Sequence, residues 1–374
     1  MSGYRRGRAP GGRRGWGGVL SSGVLGLLAV PVLAGCTAGP GGVELGTDWK
    51  GARSFVLSKV GGELTVVGVN PDRGTAEPLV VVPAQADDDD TLAPQIVRLA
   101  DGRWMIAVPR SGGKPDRLYR LDRADRAVAA QGASLAAVHG LFPGRSRVAV
   151  VPGLPDGGGQ GETEGGGDGK GRGSTILVEK PVDWATERTV RLPGTIALAA
   201  SDPASDWLCV TRDTGDDGGR APVATVDLVD GRVRETSPVP EGFQVQQLAC
   251  ADGVPVLAGS STGTSTGPGT LRAERRGGAL VVEADGGRVD QLAVDRDGSV
   301  AVAVFHQGRE YLVLLDADSG KETSRLRLPG LTDADGLRRT GAGWLVVSQE
   351  GAVAVDPARR ATREIALPGE LLAS

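Results

Sequence analysis

The chain has 374 residues, a formal net charge of −4, 60 glycines and only 3% aromatic residues. Glycine does not recur at every third position, which excludes a collagen-like fibre. Residues 1–35 contain five of the 42 basic residues and no acid, leaving 37 basic against 46 acidic residues, so the remaining chain lacks the positive charge that nucleic-acid binding requires.

Residues 1–35 are typical of an export signal. Arginines precede the apolar run Val19–Ala34, which glycine and proline interrupt and which is too short for a comfortable transmembrane helix. We therefore predict a signal peptide over residues 1–35. The pair Arg13-Arg14 leaves the twin-arginine route open beside general secretion.

The signal ends with Leu33-Ala34-Gly35-Cys36, which resembles the lipobox of bacterial lipoproteins. The resemblance implies that the Cys36 thiol receives a diacylglyceryl group and that Cys36 becomes the new N-terminus. Two acyl chains suffice for stable anchoring, so we expect the membrane as a partner and an extracytoplasmic location. Residues 36–47 would then form a flexible tether to a domain over residues 48–374. An ordinary signal peptide with an incidental cysteine is the alternative.

Beyond the tether, short apolar runs alternate with turns rich in glycine and aspartate. The clearest unit is Gln291–Gly330, and four such strands form an antiparallel sheet too small to bury both of its faces alone. The sheet must therefore stack on copies of itself. The four runs of this unit are Leu292–Val294, Val300–Phe305, Tyr311–Leu315 and Thr323–Leu328.

Similar units recur along the chain. Trp104, Trp207 and Trp344 each begin the second strand of a unit, which suits packing between neighbouring sheets. A period of roughly 40–50 residues with four strands per unit is typical of propeller blades, so we predict an all-β fold, a β-propeller of about seven four-stranded blades. The first unit lacks an innermost strand, which either Val43–Trp49 or Glu370–Ser374 could supply. The other units are Ser54–Pro83, Gln95–Gly132, Ala133–Gly194, Thr195–Gly242, Gln244–Val289 and Gly336–Gly369.

Residues 292–302 resemble the first half of a YVTN-type propeller repeat, and residues 311–330 resemble the second half. The related quinoprotein repeat usually carries an aromatic residue a few positions after Gly-Lys, where this chain has Glu322-Thr323-Ser324. The resemblance implies a propeller fold and no particular activity, because this superfamily has unrelated functions. We expect no quinone and no other cofactor.

Cys209 and Cys250 lie in predicted strands of adjacent units. Export would expose them to an oxidising space, in which paired cysteines tend to form a bridge. Two separate buried thiols are the alternative, because the sequence does not place their Cα atoms within bonding range.

Long insertions mark one face of the predicted propeller. They fall between second and third strands, and these loops open on the same face as the blade-to-blade connections, so we predict that this is the binding face. Drift in the length of harmless loops is the alternative. The insertions are Pro109–Arg117, Pro152–Gly173, Arg212–Pro222 and Gly259–Gly269.

Four residues are candidates for the binding face: Arg110, Asp213, His306 and Trp184. Trp184 lies in a predicted turn, where we expect it to be the most exposed tryptophan. His139 follows the predicted first strand Leu135–Val138 and should therefore lie on the face opposite His306. That separation argues against a shared metal site or a histidine acid–base pair.

These observations favour a non-enzymatic binding or scaffold module that recognises an envelope protein or glycan. A propeller-type lyase or hydrolase acting at the channel mouth is the alternative. It requires His306, Asp213 and Arg110 to converge, because general acid–base catalysis depends on hydrogen-bonding distances. The sequence identifies no catalytic residue and no metal ligand.

Overall fold

The computed structural model describes residues 42–84, 93–110, 115–135, 138–152, 173–213, 222–236, 239, 242–261, 271–284, 287–295, 297–316, 318–341 and 343–374, with backbone only at 132–135, 138, 139 and 213. The predicted signal peptide and Cys36 lie outside this part of the chain. Among the described residues, no helix combines the length and the hydropathy needed to cross a membrane.

The described strands form seven four-stranded sheets, which are the seven blades of a β-propeller. The predicted fold class is confirmed. The strands, each blade given from its inner to its outer edge, are as follows. Blade 1 has β28 (Glu370–Ala373), β1 (Ser54–Val60), β2 (Glu63–Asn70), β3 (Thr75–Val81); blade 2 has β4 (Gln95–Arg98), β5 (Trp104–Val108), β6 (Asp116–Asp122), β7 (Ala127–Leu135); blade 3 has β8 (Val138–Pro143), β9 (Val148–Pro152), β10 (Gly173–Glu179), β11 (Thr186–Pro193); blade 4 has β12 (Thr195–Ser201), β13 (Trp207–Asp213), β14 (Val223–Asp227), β15 (Val233–Thr236); blade 5 has β16 (Phe243–Ala251), β17 (Val254–Ser261), β19 (Ala279–Ala284), β18 (Leu271–Arg276); blade 6 has β20 (Arg288–Val294), β21 (Ser299–His306), β22 (Arg309–Asp316), β23 (Glu322–Leu328); and blade 7 has β24 (Gly336–Thr340), β25 (Gly343–Ser348), β26 (Gly351–Asp356), β27 (Ala361–Ile365).

The ring closes through the C-terminal end of the chain. Strand β28 pairs antiparallel with β1 and supplies the first strand of blade 1, so Glu370–Ser374 is the closing segment. The other segment, Val43–Trp49, lies along the outer strand of the same blade, where the Gly46 amide donates to the Pro78 carbonyl oxygen at 2.7 Å. Because Val43 is also buried, residues 42–47 pack against the propeller, contrary to the expectation of a free tether there.

The two faces of the propeller differ in the loops that they carry. The upper face carries the connections from one blade to the next and those that leave each second strand. The lower face carries the connections that follow each first strand and the turns of each outer hairpin. First strands of neighbouring blades contact one another, which places them at the centre of the ring.

Blade 5 departs from the simple order. The chain leaves β17 and forms the outer strand β18 first, then returns through the turn at residues 277–278 to β19, which pairs parallel with β17. Strand β18 was not predicted, because its segment, LRAERR, is mostly charged and exposed and has little apolar alternation. An edge strand with charged side chains needs no such alternation.

The core consists of apolar layers between neighbouring blades. Phe55 of blade 1 meets Trp104 of blade 2 edge to face, with ring centroids 5.2 Å apart. Trp104 and Trp344 are buried at the starts of their second strands, as expected for packing between blades, and Trp207 is half-buried. Single blades are thus stabilised by the surfaces of their neighbours.

Candidate binding site at the upper face

Three of the predicted site residues lie at the upper face but not together. Arg110 follows the second strand of blade 2, Asp213 ends that of blade 4, and His306 ends that of blade 6. These blades are not neighbours in the ring. No contact among the described atoms of the three residues supports the lyase or hydrolase alternative.

The expectations for Trp184 and His139 are wrong. Trp184 is only 7% exposed, and it packs with Leu99 and Met105 in an apolar cluster on the lower side of blade 3. It is less exposed than the half-buried Trp207. His139 is the second residue of β8 and so lies at the upper end of its blade, the same face as His306, because the preceding residues extend the outer strand of blade 2 to Leu135.

A β-bulge recurs near the upper end of the first strand. The pairing register shifts by one residue at this place in blades 1, 3, 4, 5 and 6, leaving one residue of the first strand without a Cα partner. Bulges redirect side chains and are common beside functional sites. The bulge residues are Leu372, His139, Ala197, Gln246 and Asp290.

Glutamines of neighbouring blades bind the backbone at these bulges. Gln246 Oε1 accepts a hydrogen bond from the Val289 amide at 2.8 Å, and Gln247 Nε2 donates to the Asp290 carbonyl oxygen at 2.6 Å. At the closure, Gln349 Nε2 donates to the Leu371 carbonyl oxygen at 2.8 Å. A bulge interrupts the ladder, so its backbone groups need partners from elsewhere.

An open cavity of about 530 Å³ lies among these bulges. It is bordered by the upper ends of the first strands of blades 5, 6 and 7 and by the turn between β25 and β26. Its described lining is mixed polar and apolar, contains no aromatic side chain and has one basic residue against four carboxylates. The ionisable residues that line it are Arg288, Asp290, Asp333, Asp335 and Glu350.

Arg288 holds two of the carboxylates. Its guanidinium donates to both oxygens of Asp290, with Nη2 2.8 Å from Oδ2, and Nη2 also donates to Asp333. The same group stacks 5.1 Å from the centre of the Phe305 ring. The hydrogen bonds to Asp290 are the main reason that the pKa of Arg288 is raised above its ordinary value.

A buried carboxyl group, Glu310, lies behind this pair. Arg288, Phe305 and Glu310 are consecutive cross-strand partners in blade 6, so the three side chains form a row across the sheet. Glu310 is fully buried, and neither of its oxygens meets an N–H or O–H donor among the described residues. Burial, and then the negative charge of Asp290, raise the pKa of Glu310 to about 9. Glu310 therefore keeps its proton at neutral pH.

The remaining two carboxylates have no cationic partner among the described residues. Glu350 accepts hydrogen bonds from the Ser348 hydroxyl at 2.6 Å and the Thr332 hydroxyl at 2.5 Å, and these bonds lower its pKa. Desolvation raises the pKa of Asp335, and the negative charge of Asp333 adds to this effect. The cavity thus carries more negative charge than Arg288 can balance.

The lower face has a cavity of about 810 Å³ whose charges are engaged between blades. Arg339 Nε pairs with Asp295 Oδ2 at 2.7 Å, and the Asp252 amide donates to Asp202 Oδ2 at 2.9 Å. These contacts join the loops that follow first strands of neighbouring blades. They give these four residues a structural role between blades, so we take the upper cavity as the candidate site.

Cys209 and Cys250 form a disulfide with a Cα–Cα distance of 5.5 Å. The bridge joins the second strand of blade 4 to the first strand of blade 5. Over the part of the chain that the structure describes, no group of three or more histidine, cysteine, aspartate or glutamate residues is arranged to hold a metal ion.

The residues that form the upper cavity were not among the predicted site residues. Glu310 begins the run Glu310–Leu315, which otherwise consists of apolar residues and one tyrosine, and this acid next to a buried strand was a usable signal. Asp290 and Gln246 gave no signal, because a bulge is set by pairing between strands and is invisible in one strand alone.

Comparison with solved structures supports the fold. A putative 6-phosphogluconolactonase from Bacteroides uniformis is 9% identical, with a TM-score of 0.56 over 85% of this chain and 97% of the other. The β-propeller domain of the Trilobed protease from Pyrococcus furiosus is 12% identical, with a TM-score of 0.50 over 78% and 84%. At these identities the likeness shows the fold alone.

Other matches are to longer proteins. The chain spans 49% of a prolyl endopeptidase and 50% of prolyl oligopeptidase B from Galerina marginata, with TM-scores of 0.48 and 0.49 and identities of 14% and 11%. No family model and no curated protein matches the chain.

Proposed function

We propose that the chain is an exported, lipid-anchored propeller that acts as a binding or scaffold module for an envelope protein or glycan. The observation that carries the proposal is the upper cavity, where the bulges of blades 5 and 6 and the start of blade 7 bring polar side chains of three blades together. Propellers commonly bind ligands at the ends of their central channel, and surface loops on a rigid scaffold are usual positions for binding residues.

The disulfide supports export. Bridges between cysteines persist in oxidising compartments and are rare in the cytosol. Cys209 and Cys250 come from different blades, 41 residues apart in sequence, so the bridge requires the folded propeller in an oxidising space. The lipobox-like ending at Cys36 then supplies the membrane attachment.

Retention of a partner tests the binding function. We expect the detergent-solubilised, immobilised wild-type protein to retain an envelope protein or glycan from membranes. Asp333→Arg, which places a long cation at the upper cavity, should abolish retention, whereas Val182→Arg, at an 81% exposed position of the lower face, should not. Equal retention by both variants, or no retention by the wild type, would contradict the proposal.

Labelling with a radioactive fatty acid tests the anchor. The wild-type chain should incorporate label and sediment with membranes, and Cys36→Ser should lose both properties. An unlabelled wild-type protein, or a labelled Cys36→Ser variant, would contradict the proposed lipid attachment and would leave the proposed binding function unaffected.

A further inference from the structure

The first strand of blade 1 is short, and a side chain takes the place of its lower half. Strand β28 pairs with residues 57–59 of β1, whereas Ser54 and Phe55, nearer the lower face, have no first-strand partner among the described residues. Arg338 of blade 7 reaches this bare edge, where its Nη1 donates to the Phe55 carbonyl oxygen at 3.0 Å and to Ser54 Oγ at 3.3 Å. Because the first strands surround the centre of the ring, Arg338 lies beside the central channel.

The guanidinium group of Arg338 is held on one side and open on the other. Its Cζ lies 5.3 Å from the centre of the Trp104 ring, so stacking and the two hydrogen bonds from Nη1 fix its orientation. Nε and Nη2 meet no acceptor among the described residues. Unlike the enclosed Nε atoms of Arg120 and Arg212, these two atoms are not sealed from solvent. Arg338 therefore presents the side-on fork of its N–H groups to the channel.

The charge of Arg338 is not balanced by an acid of the described chain. Burial alone lowers its pKa to about 10, whereas a neighbouring carboxylate would raise the pKa. The next residue, Arg339, stacks on Trp344 in a similar way but pairs with Asp295 at 2.7 Å. Arginines that are withdrawn from water are usually paired with an acid. The missing counter-ion of Arg338 thus points to a ligand of negative charge.

The lower cavity gives such a ligand a route into the channel. Loops that follow the first strands of blades 2, 4, 5, 6 and 7 border it, so it is the lower mouth of the channel. Asp202 and Asp252 lie on the side of blades 4 and 5, across the ring from blade 1. Arg98 of blade 2 lines the side next to blade 1 and forms no ion pair with a described residue. The mouth is therefore positive on the side that leads to Arg338.

We propose that the lower half of the central channel binds a small oxyanion, a carboxylate or phosphate group, through Nε and Nη2 of Arg338, and that Arg98 attracts it at the entrance. The side-on fork of a guanidinium matches two oxygens of such a group, and bidentate bonds of this kind are strong. Because the fork is already oriented, binding loses little side-chain entropy. This site is separate from the upper cavity and does not depend on the function proposed there.

Titration of the purified, detergent-solubilised protein with anions tests this inference. The probes are inorganic phosphate and succinate, added separately, and sodium chloride at equal ionic strength is the control. The indole N–H signal of Trp104, assigned by its loss in Trp104→Phe, should shift and saturate with at least one probe, which also identifies the preferred oxyanion. The indole signals of Trp207 and Trp344, which stack on other arginines, should stay in place.

Variants of Arg338 test the role of the fork. Arg338→Lys keeps the charge without the fork and should weaken binding by about tenfold, which corresponds to about 1.4 kcal/mol. Arg338→Met should abolish binding, with unchanged Trp207 and Trp344 signals as evidence that it is folded. Arg234→Met is the matched control, because Arg234 is an exposed arginine stacked 5.1 Å from the centre of the Trp207 ring, and it should bind as the wild type does.

Four results would overturn the proposal. The first is a wild-type protein whose Trp104 signal does not saturate with either probe, and the second is an equal shift with chloride. The third is an equal shift of all three indole signals, which would show unspecific attraction of anions. The fourth is undiminished binding by Arg338→Lys, a result that can be obtained even if Arg338→Met does not fold.

Discussion

Gln247 of blade 5 donates a hydrogen bond of 2.6 Å from Nε2 to the carbonyl oxygen of Asp290 in blade 6. The acceptor belongs to the bulge residue, whose backbone is outside the regular ladder of its own sheet. A side chain of one blade thus completes the backbone of the next. A related contact lies at the closure, where Gln349 of blade 7 donates to the carbonyl oxygen of Leu371, next to the bulge residue Leu372.

Removal of this amide should destabilise the propeller. We expect Gln247→Met to lower the free energy of unfolding by about 1 kcal/mol, because the carbonyl oxygen loses its donor while the volume of the side chain is kept. Urea denaturation measures the change. Gln291→Met is the control, since Gln291 is also half-buried in a first strand and its side chain makes no hydrogen bond to another described residue. Equal effects of both changes would show that loss of the glutamine amide at the bulge has no special role.

Loss of the disulfide should destabilise the fold more strongly. The bridge closes a loop between residues 41 apart, and the chain-entropy relation gives about 4 kcal/mol for that length. The double variant Cys209→Ser/Cys250→Ser should therefore unfold at a clearly lower urea concentration than the oxidised wild type. Wild type treated with a reductant is the control and should approach the variant. An unchanged midpoint after reduction would show that the bridge does not stabilise this fold.

Stability should fall as the pH rises through the neutral range because of Glu310. The pKa of this carboxyl is about 9 in the folded protein against 4.5 for the ordinary group, so the folded state keeps a proton that the unfolded state releases. Below about pH 4.5 the carboxyl is protonated in both the folded and the unfolded state, so the free energy of unfolding does not change with pH because of it. Between this pH and about 9, stability declines by at most about 1.4 kcal/mol per pH unit.

Glu310→Gln isolates this effect. The variant cannot ionise, so its free energy of unfolding should decline less than that of the wild type between pH 5 and pH 9. Glu364→Gln, which changes an exposed glutamate of an outer strand, should follow the wild-type curve. Parallel curves for wild type and Glu310→Gln would mean that Glu310 does not bind the proton.

Arg338 should stabilise the closure of the ring. It lies in blade 7, donates to the Phe55 carbonyl oxygen in blade 1 at 3.0 Å and stacks 5.3 Å from the centre of the Trp104 ring in blade 2. Arg338→Met keeps the apolar stem and should cost about 2 kcal/mol through the lost hydrogen bond and cation–π contact. Faster amide exchange in β28 would be the local signature.

Arg327→Met is the control for this change. Arg327 is an exposed arginine of the outer strand of blade 6, so its replacement should leave both global stability and exchange in β28 unchanged. If Arg338→Met lowers stability without faster exchange in β28, the contribution of Arg338 lies elsewhere than at the closure.

Much of the architecture could be predicted from the chain, because a blade is a local structure. Runs such as Val300–Phe305 and turns such as Asp297-Gly298 specify strands and hairpins by neighbours in sequence. The prediction was wrong where an alanine-rich run extended one strand to Leu135 and moved His139 to the upper face. Strand limits depend on the partner strand as well as on the run itself.

The sequence by itself determined that short strands recur in units of four and that each unit must stack on others to bury its faces. Only the tertiary structure decided that β28 closes the ring, that bulges project Gln246 and Asp290, and that Glu310 lies buried behind Arg288. The physical reason is the separation in sequence between the residues that interact. Strand patterns follow from adjacent residues, whereas closure, register and the protonation of the buried Glu310 depend on groups that meet only after the blades have packed.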